Sequence, residues 1–96
     1  MLVVFRAAAT ADVEAAYGWY EGQRRGLGSE FRSEVDAAVD LISKAPLAFP
    51  LVRRSIRRAL LRRFPYALFY RVVGDEAIVE ACIHGKRHPR SWRSRI

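Results

Sequence analysis

The chain opens on Leu-Val-Val-Phe-Arg (residues 2–6), a β-branched and aromatic run without helical spacing, which predicts a first strand. Val13, Ala16, Tyr17 and Tyr20 then recur at i, i+3, i+4 and i+7, the spacing of one helical face. Thr10 stands where a side-chain cap would start that helix. Asp12 and Glu14 fall in its first turn, where the helix dipole favours negative charge. Gly26 is expected to close the helix and Gly28 to loosen the turn that follows. A second helix is predicted over residues 29–44. Phe31, Val35, Ala38, Leu41 and Ile42 form its inward stripe, Glu30, Glu34, Asp36 and Asp40 its solvated side, and Pro46 stops it. The short link makes the two helices an antiparallel hairpin whose aromatic stripe belongs to a core.

The second half changes period. Residues 47–56, with Pro50 among them and Pro46 just before, read as a loop, and a strand is expected near Arg57 to Arg63. Pro65 lacks a backbone donor, so the chain turns there or lies at a sheet edge. Tyr66 to Val73 is the strongest strand signal in the chain. Gly74-Asp75-Glu76 is turn chemistry. Ala77 to His84 alternates, with Val79, Ala81 and Ile83 expected on one face and Ile78, Glu80 and Cys82 on the other. The order is β-α-α-β-β-β, a two-layer α+β fold. Three consecutive strands form an antiparallel meander, the first strand joins it, and the helix hairpin covers one face. Nothing in the chain is left to cover the other face. A concave, arginine-rich, half-aromatic surface should stay open there as a candidate binding site.

Length and composition narrow the class. The 96 residues make a single domain, and the apolar share of 51% supports a packed core. No apolar run is longer than Tyr66 to Tyr70, which is far too short to span a membrane. The opening residues have no basic stretch ahead of their apolar run and fail as a signal peptide. Cys82, the single cysteine, has no internal disulfide partner and is expected to be a buried, inert thiol in a cytoplasmic protein.

Charge is divided unevenly. Residues 1–52 hold 5 basic and 7 acidic side chains, a balance of −2, and residues 53–96 hold 12 basic and 3 acidic, a balance of +9, together the net +7. Folding does not require such polarity, which implies a negatively charged partner for the second half. Of the 17 basic residues 15 are arginine, whose planar fork suits carboxylate and phosphate.

Catalytic signatures are scarce. The sequence has no P-loop, no G-x-G-x-x-G and no zinc-ligand spacing. His84 and His88 are four apart, but Gly85 and Pro89 preclude a regular helix, so they do not share a helical face. The arginines of the strands and tail remain, with Trp92 and the two histidines. Guanidinium groups hold phosphates and aromatic faces stack bases. A metal-free ribonuclease needs a general base, a phosphate-holding cation and an acid. An acidic protein partner, a nucleic acid and a merely solubilising surface all fit the composition.

Three stretches are familiar. "WYEGQRRGLGSEFRSEV" resembles the helix hairpin of ParE-type toxins, in the RelE/ParE superfamily of bacterial toxin–antitoxin systems. "RRFPYALFYRV" resembles the strand hairpin of that family, and "ACIHGKRHPRSWRSR" its last strand and tail. The resemblance covers nearly the whole chain in the family's order. It implies a toxin silenced by a cognate antitoxin, whose acidic C-terminal segment folds as it wraps the toxin. It also implies inhibition by binding, with DNA gyrase as the target and no cofactor or metal. The expected antitoxin- and target-binding residues are Arg57, Arg62, Arg63, Arg71, Arg87, Arg90, Trp92 and Arg93. The alternative within the superfamily is a RelE-like endonuclease that cuts messenger RNA in the ribosome, here through Arg58, His84 and Arg87. Its pattern is incomplete in this chain. Two lysines are replaced by Arg58 and Leu60, Ala67 stands where an arginine should follow the aromatic Tyr66, and Trp92 or Arg93 falls where a tail tyrosine belongs. Losing one oxyanion-type donor typically costs about 2.7–4 kcal/mol.

Overall fold

The computed structural model of the chain describes residues 1–85 and 93–96. Its elements are β1 (Leu2–Phe5), α1 (Ala7–Gln23), α2 (Leu27–Lys44), β2 (Leu51–Arg53), β3 (Ile56–Leu60), β4 (Tyr66–Val73) and β5 (Glu76–His84). The fold is two-layer α+β: a five-stranded mixed sheet in the order β1-β5-β4-β3-β2, with the helix hairpin on one face. β1 runs parallel to β5, and every other pairing is antiparallel. Among the described residues no helix is long and apolar enough to cross a membrane.

The core lies between sheet and hairpin. Ala9, Ala16, Phe31, Val35, Ala38 and Ile42 from the helices meet Ala59, Leu68, Tyr70, Ala77, Val79 and Cys82 from the strands. Tyr20, Phe31, Phe64 and Tyr66 form a mutually edge-on and stacked aromatic group with centroids 4.8–6.0 Å apart, within the range such pairs favour. Leu41, expected on the inward stripe of α2, instead points outward and is 55% exposed.

The helix ends depart from expectation. α1 begins at Ala7, directly after β1, and Thr10 lies within its first turn, donating its backbone N–H to Arg6 O at 3.0 Å. The strand thus feeds the helix through Arg6 alone, and Thr10 caps nothing. Gly26 adopts a left-handed φ of 88° and is the cap residue of α2. Gly28 is inside that helix, and its role is close approach: a Cβ there would lie 2.8 Å from the carbonyl oxygen of Tyr17. The Glu21 carboxylate accepts from the backbone N–H groups of Gly26 (3.0 and 3.1 Å) and Gly28 (3.0 Å). A side chain from the first helix therefore serves the orphan donors of the second.

The sheet holds two further differences. β2 falls in the expected loop and pairs with β3 through a turn in which Arg54 has a φ of 50°, and β3 ends at Leu60 rather than Arg63. The expected strict alternation of β5 is interrupted. Phe69 pairs with Ala81 but Tyr70 pairs with Val79, leaving Glu80 as the extra residue of a bulge. Val79 consequently packs into the main core, while Ala81 joins Ile56, Ala67 and Phe69 on the opposite face. That second face is not bare. Val52, Ile83 and Ile96 pack against it, and Phe69 is fully buried. The expected open surface is therefore partly covered by the chain itself, through Ile96.

Candidate functional site

The expected site residues divide by what their side chains touch. Arg57 donates to Phe49 O at 2.7 Å and Leu47 O at 3.2 Å, fastening the loop between α2 and β2. Arg63 pairs with Glu30 at 3.2 Å and with Glu34 at 3.6 Å, tying the β3–β4 connection to α2. Arg71 pairs with Glu80 at 2.8 Å, and Glu80 also pairs with Arg6 at 2.8 Å. Arg62 and Arg93 are exposed. Arg87, Arg90 and Trp92 lie outside the described residues, as does His88. Of the five described members of the expected set, three are thus engaged inside the fold. Among the described members of the expected flank, the guanidinium groups outside these contacts are those of Arg62 and Arg93.

Of the four acidic residues expected on the solvated side of α2, Asp36 and Asp40 are exposed, while Glu30 and Glu34 are structural partners. Glu34 Oε1 accepts the backbone N–H groups of Arg62 (2.9 Å) and Arg63 (3.3 Å). Burial pushes its carboxyl up, but those hydrogen bonds and the nearby guanidinium charges outweigh it and hold the pKa below the usual value. Glu80 shows the same balance: burial raises it, and the bonds from Arg71 and Arg6 bring it down on balance. Hydrogen bonds from Arg24 and Arg63 lower Glu30.

Asp12, placed by sequence in a first turn, faces β5. β1 stops at Phe5, so the outer edge of β5 has no strand beside it from Glu80 onward. Asp12 Oδ2 accepts the Cys82 N–H at 3.0 Å, substituting for the missing strand, and both carboxylate oxygens accept from Arg95, at 3.1 and 2.7 Å. Beside this contact a groove of about 320 Å³ runs between α1 and β5, lined by Asp12, Ala15, Trp19, Tyr66, Cys82 and His84 among others. Trp19 stands 60% exposed at its rim. On the other side of β5 a second cleft is lined by Arg54, Arg71, Glu80, Arg95 and Ile96. No sequence signal marks Asp12, Glu21 or Glu80 for these tasks. The main partners of Asp12 are distant in the chain, those of Glu80 are set by a bulge, and those of Glu21 lie across the turn between the helices.

Of the expected nuclease set Arg87 lies outside the described residues, and the two described members, Arg58 and His84, do not converge. Arg58 pairs with Phe69 in the ladder and so lies on the second face, where its Nη1 donates to Gly85 O at 2.9 Å. His84 lies on the helix side, its ring 4.5 Å from that of Tyr66. The two side chains are on opposite faces of the sheet. Cys82 is buried, and burial first, then the Asp12 charge, pushes its thiol up to about 12, far from a thiolate at neutral pH. Among the described residues no group of His, Cys, Asp and Glu is placed to hold a metal ion.

The described residues thus form a two-layer fold with a helix hairpin over a mixed sheet and a groove on either side of β5. The family model described as the ParE toxin of the type II toxin–antitoxin system parDE matches residues 3–89, and the chain belongs to that family. Among solved structures it is similar to a chain of the chromosomal ParDE toxin–antitoxin system from P. aeruginosa. The TM-score is 0.66 and the identity 20%, with 88% of this chain and 95% of that chain covered, a likeness that bears on the fold. No curated protein matches the sequence.

Proposed function

We propose that this family member is a cytoplasmic toxin that acts by binding rather than by catalysis, that DNA gyrase is its target, and that an antitoxin with an acidic C-terminal segment neutralises it. The observation that carries the non-catalytic reading is the separation of Arg58 and His84 onto opposite sheet faces. A hydrolytic mechanism needs its base and its phosphate-holding cation within reach of one substrate atom. Exposed Trp19 beside the α1–β5 groove is an aromatic anchor of the sort interfaces favour. Arg62 and Arg93 offer guanidinium groups to an acidic segment, and by sequence Arg87, Arg90 and Trp92 add to that surface.

The test is induction of the chain in growing cells, alone and with the product of its neighbouring reading frame. The reading expects growth arrest from the chain alone and relief by the partner. It further expects Arg87→Ala and Trp92→Ala to weaken the arrest more than Lys44→Ala. Equal effects of all three variants would remove the tail from the working surface.

A further inference from the structure

Asp12 joins two grooves that lie on opposite sides of β5. It lines the groove beneath α1, and its partner Arg95 lines the cleft on the second sheet face. A single oxygen, Oδ2, receives both the Cys82 N–H at 3.0 Å and Arg95 Nη2 at 2.7 Å. Arg95 Nη1 fixes the other oxygen at 3.1 Å. The carboxylate is therefore oriented from two directions at once. If the guanidinium leaves, water takes its place and, among the described residues, the Cys82 N–H alone holds Oδ2 at the strand edge. Segment 93–96 includes the Arg95 side of the same contact. Ile96 packs against the apolar patch around Ile56 and Phe69, while Arg93, Ser94 and Arg95 are exposed. Among the described residues, one ion pair and one aliphatic side chain oppose the entropy of ordering these four residues. The pair is only partly buried, with Arg95 38% exposed, so dissolved salt reaches it.

We infer that Asp12 and Arg95 form a strap lock that couples the two grooves. With the lock closed, segment 93–96 lies on the second face and the Cys82 amide is satisfied. With it open, Ile96 leaves the patch and the β5 edge beside the α1 groove becomes an unpaired edge. Whatever draws Arg95 into the outer cleft thereby alters the groove on the far side of the strand. The inference stands on side-chain geometry and is independent of the toxin's target.

The test uses the full chain, isotopically labelled, and follows two nuclei by NMR. The first is the hydrogen-exchange rate of the Cys82 amide, with the Leu68 amide in the core as internal reference. The second is the Ile96 methyl shift. Arg95→Ala should accelerate Cys82 exchange at least tenfold and move the Ile96 methyl toward its random-coil position, with Leu68 unchanged. Raising sodium chloride from about 50 to 500 mM on the unmodified chain should move both signals in the same direction, which keeps the test open if the variant folds poorly. An unchanged Cys82 rate with an unmoved Ile96 methyl under salt would overturn the coupling, as would acceleration of Leu68 to the same extent as Cys82.

Discussion

Arg71 on β4 meets Glu80 on β5 at 2.8 Å as a diagonal pair on the second sheet face, at the bulge. Arg6 reaches the same carboxylate from the end of β1, also at 2.8 Å. One acidic side chain thus joins three strands where the parallel and antiparallel parts of the sheet meet. It also pairs two guanidinium groups within the chain.

This pair predicts an acid-sensitive fold. On balance Glu80 is held below its usual pKa, so the folded state binds its proton less readily than the unfolded chain. The stabilisation is fully present above the ordinary carboxyl value, about 4.3, and is lost as pH falls through the lowered native value. Urea midpoints measured from pH 7 down to pH 3 should fall below about pH 5 in the parent. In Glu80→Gln the midpoint should be lower at pH 7 and its decline shallower. Glu30 and Glu34 are shifted in the same direction, so a residual slope is expected. An identical pH profile for Glu80→Gln would remove the pair from the account.

Two glycines should respond oppositely to alanine. Gly28→Ala places a methyl 2.8 Å from the Tyr17 carbonyl oxygen, a backbone atom that cannot swing away. A loss of about 1–3 kcal/mol is expected from overpacking. Gly22 sits inside α1, and nothing lies within 4 Å of a Cβ added there. Gly22→Ala should stabilise by roughly 0.5–1 kcal/mol through the unfolded chain and helix propensity. Chemical denaturation of both variants at neutral pH reads the two signs directly.

Tyr70 is fully buried, and its hydroxyl donates to Pro46 O at 2.6 Å, holding the end of α2 against the sheet. Tyr70→Phe keeps the ring and leaves that carbonyl without its donor. The expected cost is about 1–3 kcal/mol, read from the thermal midpoint and its calorimetric enthalpy.

These cases show what the sequence could and could not disclose. Phe31, Val35, Ala38 and Ile42 reveal the buried side of α2 because helical spacing and apolar chemistry agree there. Tyr66 to Val73 matches β4 residue for residue because a dense β-branched and aromatic run has no competing period. The bulge was hidden. Val79, Ala81 and Ile83 alternate as a clean strand would, and only pairing with Phe69 and Tyr70 shows that Glu80 is extra. β2 was hidden because three residues between turns carry too little pattern to distinguish from a loop. The arginine content was legible, but the engagement of Arg57, Arg63 and Arg71 was not. Their acceptors are a loop carbonyl pair, α2 carboxylates and a bulge residue that the tertiary fold brings near. Composition counts charges and is silent on which ones the fold consumes.

The separation of Arg58 from His84 predicts that neither side chain is needed for chemistry. With soluble levels and far-UV circular dichroism matched to the parent, Arg58→Ala and His84→Ala should each arrest growth with no more than about a tenfold change in potency. A general acid or base contributes about 10²- to 10⁴-fold, so a larger loss in both variants would favour hydrolysis.

The most direct measurement adds the purified chain to two reactions side by side: gyrase-driven DNA supercoiling, and translation of a defined message on ribosomes, with message ends mapped afterwards. The account predicts that supercoiling stops in proportion to added protein while the message remains whole. Message cut at defined positions on the ribosome, with supercoiling untouched, would contradict it.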